Sequence, residues 1–197
     1  MRTRRLGVAG VVVAVVVVAA LALWWPHGES GSVIERATGT GAAARPEFPG
    51  IDPALVPVRA RILAVARDEY LRNPPGTAFS EGEEQPWCAD FVSSTMRAAG
   101  VPLSNPNSGS WRIPGVATLT DYYQSTGRLR SAERSPQPGD VVLYDVPSPL
   151  GQHTNLVVAR RGDEVITVGG NERQGVTLRT YRVGGEAGIQ GYGVPAA

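Results

Sequence analysis

The sequence predicts an α+β domain in which N-terminal helices pack on a five- to six-stranded antiparallel sheet. Three observations carry this. Apolar residues recur at three- and four-residue spacing as far as about residue 125, the period shortens to two after Pro138-Gly139, and Gly-rich turns separate the later segments.

From Pro57 to Arg72 the residues Val58, Ile62, Val65 and Ala66 fall on one helical stripe. Pro57 suits the first turn, where an N–H has no partner anyway, and Asn73-Pro74-Pro75-Gly76 stops the helix. A second helix begins near Trp87 and ends at Gly100. It places Cys88, Phe91, Val92, Met96 and Ala99 on an inward stripe and Asp90, Ser93, Ser94 and Arg97 on the other. A third covers Val116 to Ser125 and closes at Thr126-Gly127. Asp140 to Asp145, His153 to Arg160, Glu164 to Val168, Val176 to Arg182 and Ile189 to Val194 then read as short strands. Arg161-Gly162-Asp163 and the run from Gly169 through Gly175 have the length of hairpin connections, so sequential antiparallel pairing is the simplest topology.

Ahead of the domain, Arg2, Arg4 and Arg5 precede an apolar run from Leu6 to Trp25. About 20 apolar residues at roughly 1.5 Å rise match a hydrocarbon core of roughly 30 Å, which predicts a single transmembrane helix. The arginines would stay cytoplasmic and Trp24 and Trp25 would sit at the outer interface. Ala20-Leu21-Ala22 also has the small-x-small form of a processing site, so a cleaved secretory signal is the competing reading of residues 1–25. Both readings put the domain outside the cytoplasm, anchored in the cytoplasmic membrane or secreted. Residues 26–50, rich in Gly, Ala, Ser, Thr and Pro without apolar periodicity, read as a flexible linker, and 51–197 as one domain.

Composition narrows the chemistry. Residues 51–197 carry 14 basic and 15 acidic side chains with no basic run beyond Arg160-Arg161, which argues against a nucleic-acid partner. Every basic residue is arginine, so Ser-Lys dyads and Schiff-base chemistry are excluded. One cysteine and two histidines cannot supply the Cys- or His-rich shell of a zinc site, and no metal or cofactor is expected. No Gly-x-Ser-x-Gly elbow and neither phosphate-cradling glycine pattern occurs.

Cys88 is the single cysteine, placed where a helix is predicted to start, and a helix N-terminus favours the ionised form of a thiol. Outside the cytoplasm cysteines usually pair, so a lone thiol calls for a reason: nucleophilic chemistry, an intermolecular disulfide, or plain burial in the core. His27 lies beside the apolar run, which leaves His153 as the histidine of the domain.

Four ordered segments carry a resemblance: Pro86-Trp87-Cys88-Ala89-Asp90-Phe91-Val92-Ser93, then Pro138-Gly139-Asp140-Val141-Val142, then His153 opening Thr-Asn-Leu-Val-Val, then Gly169-Gly170-Asn171. Over roughly Pro57 to Pro195 the chain resembles the CHAP domain, the cysteine- and histidine-dependent amidohydrolase/peptidase branch of the NlpC/P60-like, papain-type enzymes. The resemblance implies a papain-like fold, Cys88 as nucleophile, His153 as general base, and Asn171 as the polar residue that orients the imidazole. Many family members carry an acidic residue two positions before this asparagine, where this chain has Gly169, so a Cys-His-Asn arrangement is expected. An amide oxygen can hold an imidazole in one tautomer without a charge.

The implied activity is cleavage of an amide bond in extracytoplasmic peptidoglycan through an acyl-enzyme. The Cys88 backbone N–H would hold the oxyanion, and Gln85 is either a second donor or an ordinary solvated loop residue. Asp140 reads as a turn or strand-start residue, Trp87 as packing beside the nucleophile, and Trp111 as core or groove wall. Two rival classes remain at this level: a catalytically inactive, wall-associated binding or scaffold component of a cell-envelope or secretion apparatus, which the departure at Gly169 supports, and an acyltransferase that uses an amine acceptor.

Overall fold

The structure, a computed structural model, describes residues 45–173 and 175–197. The apolar run Leu6–Trp25 and most of the expected linker lie outside the described residues. Among the described residues no helix is long and apolar enough to cross a membrane.

Three helices precede most of the sheet: α1 (Pro57–Arg72), α2 (Cys88–Ala98) and α3 (Val116–Ser125). Pro57 lies in the first turn of α1, and Asn73 ends it in the left-handed region at φ 45°, donating its N–H to Glu69 O. The six strands are β1 (Leu129–Ser131), β2 (Val141–Tyr144), β3 (His153–Arg161), β4 (Glu164–Glu172), β5 (Gly175–Arg182) and β6 (Ile189–Gly193). They form one antiparallel sheet in the order β1-β6-β2-β3-β4-β5.

Two features depart from the sequence reading. Strands β2 to β5 form the expected meander, but β6 crosses back to pair with β2, and β1 adds to its outer edge. In addition, β4 continues through Gly169-Gly170-Asn171 to Glu172, where a turn was expected. The extra residues are taken up by a register shift between Gly169 and Glu172.

The larger core lies between helices and sheet, with Phe91, Val92 and Met96 of α2 packed with Leu143, Leu156 and Val168. A smaller cluster of Val142, Tyr144, Val157, Tyr181 and Tyr192 occupies the other face. Helix α2 is buried almost all round, so Asp90 and Ser93, expected on its polar stripe, are both buried. Ser93 Oγ is satisfied by the backbone of Ile113, accepting from its N–H at 3.1 Å. Such burial is tolerable only with partners of this kind.

Two further contacts fix the frame. Asp140 is more than a turn residue: it is buried and accepts from Arg59 Nη2 at 2.8 Å and from the Gln137 N–H at 2.8 Å, tying α1 to the start of β2. Residues 45–50, on the linker side of the expected boundary, dock on the domain. Arg45 donates to Val176 O at 2.6 Å and lies 4.0 Å over the Tyr70 ring, and Phe48 is buried. Trp111 is half-buried, with the Arg97 guanidinium 4.4 Å over its ring.

Candidate active site

Cys88 is the first residue of α2 and Trp87 its N-cap, with the Phe91 N–H donating to Trp87 O at 2.9 Å. The Cys88 N–H therefore has no partner within the helix. Trp87 is what holds this helix end in place. Its ring stacks on Phe79 at 5.3 Å and 9°, and it fills space that only glycine leaves open: a Cβ on Gly76 would come within 2.2 Å of the indole, and one on Gly170 within 2.3 Å. Pro86-Trp87 thus sets where the thiol sits, through packing against β4.

Asp90, two residues on, places a carboxylate in the first helical turn. Its charge is met by Arg112 Nε at 2.7 Å, and its other oxygen accepts from Gln85 Nε2 at 2.8 Å. The carboxylate raises the Arg112 pKa, chiefly by that hydrogen bond. Hence a negative charge beside the nucleophile is neutralised at its source. Gln85 is accordingly no free solvated side chain; it is tethered by Asp90 at the rim of the groove beside Trp87.

His153 opens β3 opposite Tyr144 of β2, whose ring centroid is 6.3 Å from the imidazole. The structure brings His153 and Cys88 to one groove of about 720 Å³. His153 Nε2 contacts Glu172 Oε1 at 3.2 Å, leaving Nδ1 for the thiol side. Asn171 is not the residue on the ring. It is exposed, at φ 64°, and lines the groove rim, while the ring's hydrogen bond goes to its neighbour Glu172. The physical reason is the bulge: Asn171 takes the left-handed position, and the chain then returns to register with Glu172 paired to Gly175.

Nor could position 169 supply the carboxylate in this chain. A Cβ on Gly169 would fall 1.8 Å from Asn155 Oδ1. Asn155 occupies that space because it braces Glu172, donating Nδ2 to Oε1 at 2.9 Å; Thr177 Oγ1 donates to Oε2 at 3.1 Å. Glu172 and Asn155 are residues that the sequence reading missed. A Gly-Gly-Asn run followed by an acidic residue, within a strand rather than between strands, is the signal of a bulge that re-aims a side chain.

The electrostatics follow from this geometry. Burial acts to lower the His153 pKa, but hydrogen bonds and charge from Cys88 and Glu172 outweigh it and lift the value to about 9. For Glu172, burial acts to raise the pKa, and the His153, Asn155 and Thr177 contacts outweigh it, so the net direction is down. Both directions favour an imidazolium next to a carboxylate. An imidazole held on one nitrogen by a carboxylate, with the other nitrogen turned to a thiol, can take and return a proton.

The family model described as "CHAP domain" matches residues 80–171. The chain carries a CHAP domain. Such domains are cysteine- and histidine-dependent amidohydrolases and peptidases of peptidoglycan, and the match spans Cys88 and His153 and ends one residue before Glu172. A solved structure described as "The crystal structure of Ly7917" is similar, at 16% identity and a TM-score of 0.47, over 70% of this chain and 62% of its own. The chain therefore spans less than two thirds of that protein's length. No curated protein matches the chain.

Proposed function

We propose that the chain is a cysteine-dependent peptidoglycan amidase or endopeptidase with Cys88 as nucleophile, His153 as general base and acid, and Glu172 as the residue that orients His153. The observation that carries this reading is the imidazole set between the Cys88 thiol and the Glu172 carboxylate. The Cys88 sulfur attacks the amide carbonyl and forms a C–S bond. His153 gives its proton to the departing nitrogen as the C–N bond breaks. Water then gives a proton back to His153 and attacks the thioester, which releases the acid and restores the thiol. The Cys88 backbone N–H stands where it can hold the oxyanion.

The apolar run Leu6–Trp25 behind Arg2, Arg4 and Arg5 supports an extracytoplasmic location, anchored in the cytoplasmic membrane or released by cleavage. With residues 45–50 docked on the domain, a tether of about 19 residues spans roughly 22 to 26 Å, enough to reach wall close to the membrane. The binding-only alternative rested on the missing carboxylate at Gly169, and with Glu172 on the ring that support is gone.

The test is incubation of the purified chain with soluble peptidoglycan fragments, following new amines and stem peptides by mass spectrometry. Product that disappears in Cys88→Ser supports the proposal. Product that persists in Cys88→Ser, or no product from the parent chain, overturns it.

A further inference from the structure

The segment at the end of the tether is built into the edge of the sheet. Strand β5 is an edge strand, and alternate residues of such a strand turn their N–H and C=O away from the neighbouring strand. At Val176 both groups are taken: the N–H donates to Asn73 Oδ1 at 2.8 Å, and the carbonyl accepts from Arg45 Nη2 at 2.6 Å. Arg45 Nη1 donates to Tyr70 O at 2.8 Å, a carbonyl in the last turn of α1 that has no partner within the helix. One guanidinium thus joins the end of α1 to the start of β5. It lies 4.0 Å over the Tyr70 ring, and the Tyr70 hydroxyl donates back to Pro46 O at 2.6 Å. Phe48 packs on the same ring at 5.8 Å.

Val176 lies between two residues that hold Glu172. Gly175 pairs with Glu172 across the bulge, and Thr177 Oγ1 donates to Glu172 Oε2 at 3.1 Å. The backbone that Arg45 and Asn73 grip is therefore the one that aims a donor at the carboxylate on His153. We propose that Arg45 and Asn73 are positioning residues for Glu172, acting through Val176 and Thr177, so that the segment joining tether to domain is a working part of the active site. The role of Glu172 in this rests on the hydrolase reading above. Asn155 stays as a second donor to Glu172, so loss of the brace loosens the carboxylate without freeing it. Loosening a group in contact with the general base lowers the rate of the chemical step more than it weakens substrate binding.

The test uses the full chain with three substitutions. Arg45→Ala removes the guanidinium, Asn73→Gly keeps the left-handed backbone at φ 45° but removes the acceptor, and Thr177→Val removes the donor to Glu172. Each is read under conditions where urea denaturation shows it folded. In Arg45→Ala and Asn73→Gly, kcat on soluble peptidoglycan fragments should fall about 2- to 30-fold while KM changes by less than about 2-fold. The His153 titration midpoint, followed by NMR of the imidazole, should fall with kcat. Arg45→Lys, which can still donate to Val176 O, should recover part of both. Added to Thr177→Val, Arg45→Ala should cost little more, because both act on one contact. Should Arg45→Ala fail to fold, Asn73→Gly carries the same cycle. A folded variant with kcat and the His153 midpoint unchanged, or losses that add in full with Thr177→Val, overturns the inference and leaves the hydrolase standing. If no form of the chain cleaves peptidoglycan, the midpoint decides alone. A fall in Arg45→Ala that Thr177→Val absorbs supports the brace, and an unchanged midpoint overturns it.

Discussion

Replacing Glu172 with glutamine keeps the size of the side chain and its acceptor oxygen but removes the charge. Its Oε1 accepts from His153 Nε2 at 3.2 Å and from Asn155 Nδ2 at 2.9 Å, in a setting where the two side chains are 8% and 14% exposed. The His153 pKa stands at about 9 against an ordinary 6.5. At about 1.4 kcal/mol per pH unit, that rise is worth roughly 3 kcal/mol in favour of the imidazolium. Burial opposes this rise and contacts with Cys88 and Glu172 together produce it, so losing the carboxylate charge should return part of it, on the order of 1 to 2 kcal/mol, or roughly tenfold in the protonation equilibrium. Glu172→Gln should lower the His153 titration midpoint by about one pH unit, read by NMR of the imidazole proton. Alkylation of Cys88 by iodoacetamide near neutral pH, expected to outpace a model thiol in the parent chain, should slow by roughly tenfold, together with kcat/KM. If both readouts are unchanged in Glu172→Gln and both fall in Asn171→Ala, the assignment of the orienting role to Glu172 is refuted.

Three further outcomes follow from the same geometry. Gly170→Ala would put a Cβ within 2.3 Å of the Trp87 ring and 2.7 Å of Phe91 Cβ, so it should cost about 1 to 3 kcal/mol of stability in urea denaturation and move the start of α2 enough to depress activity as well. Arg59→Ala strands the buried Asp140 carboxylate and should cost about 3 to 5 kcal/mol, with Arg59→Ala/Asp140→Asn recovering part of it in the same assay. The His153–Glu172 pair should also leave a mark on stability against pH. The raised His153 contributes fully below pH 6.5 and loses its contribution as pH rises through about 9, while the lowered Glu172 contributes above its ordinary 4.5 and loses it on acidification. The stability difference between parent and Glu172→Gln should therefore peak between roughly pH 4.5 and 6.5, as seen by chemical denaturation at a series of pH values. A difference independent of pH from 4 to 10 would count against the pair.

The sequence by itself determined the three helices and every strand but β1, and it singled out the proposed reacting pair. Helices α1 and α3 end where Pro, Gly and Asn interrupt a 3.6-residue period, because those residues act on the backbone locally and need no partner. Cys88 and His153 were identifiable because the domain offers one thiol and one imidazole, and chemistry limits what such a pair can do. What the tertiary structure decided is the phase between them. Gly169-Gly170-Asn171 reads as a turn on local grounds, and positive φ at Asn171 agrees with that, but cross-strand pairing absorbs it as a bulge and hands the imidazole to Glu172. The pairing of β6 with β2 is likewise set by contacts distant in sequence. A side chain's face in a strand flips with a one-residue shift in register, and register belongs to the partner strand as much as to the strand itself. For that reason Glu172 and its brace Asn155, 17 residues apart in the chain, became visible only when β3 and β4 were placed side by side.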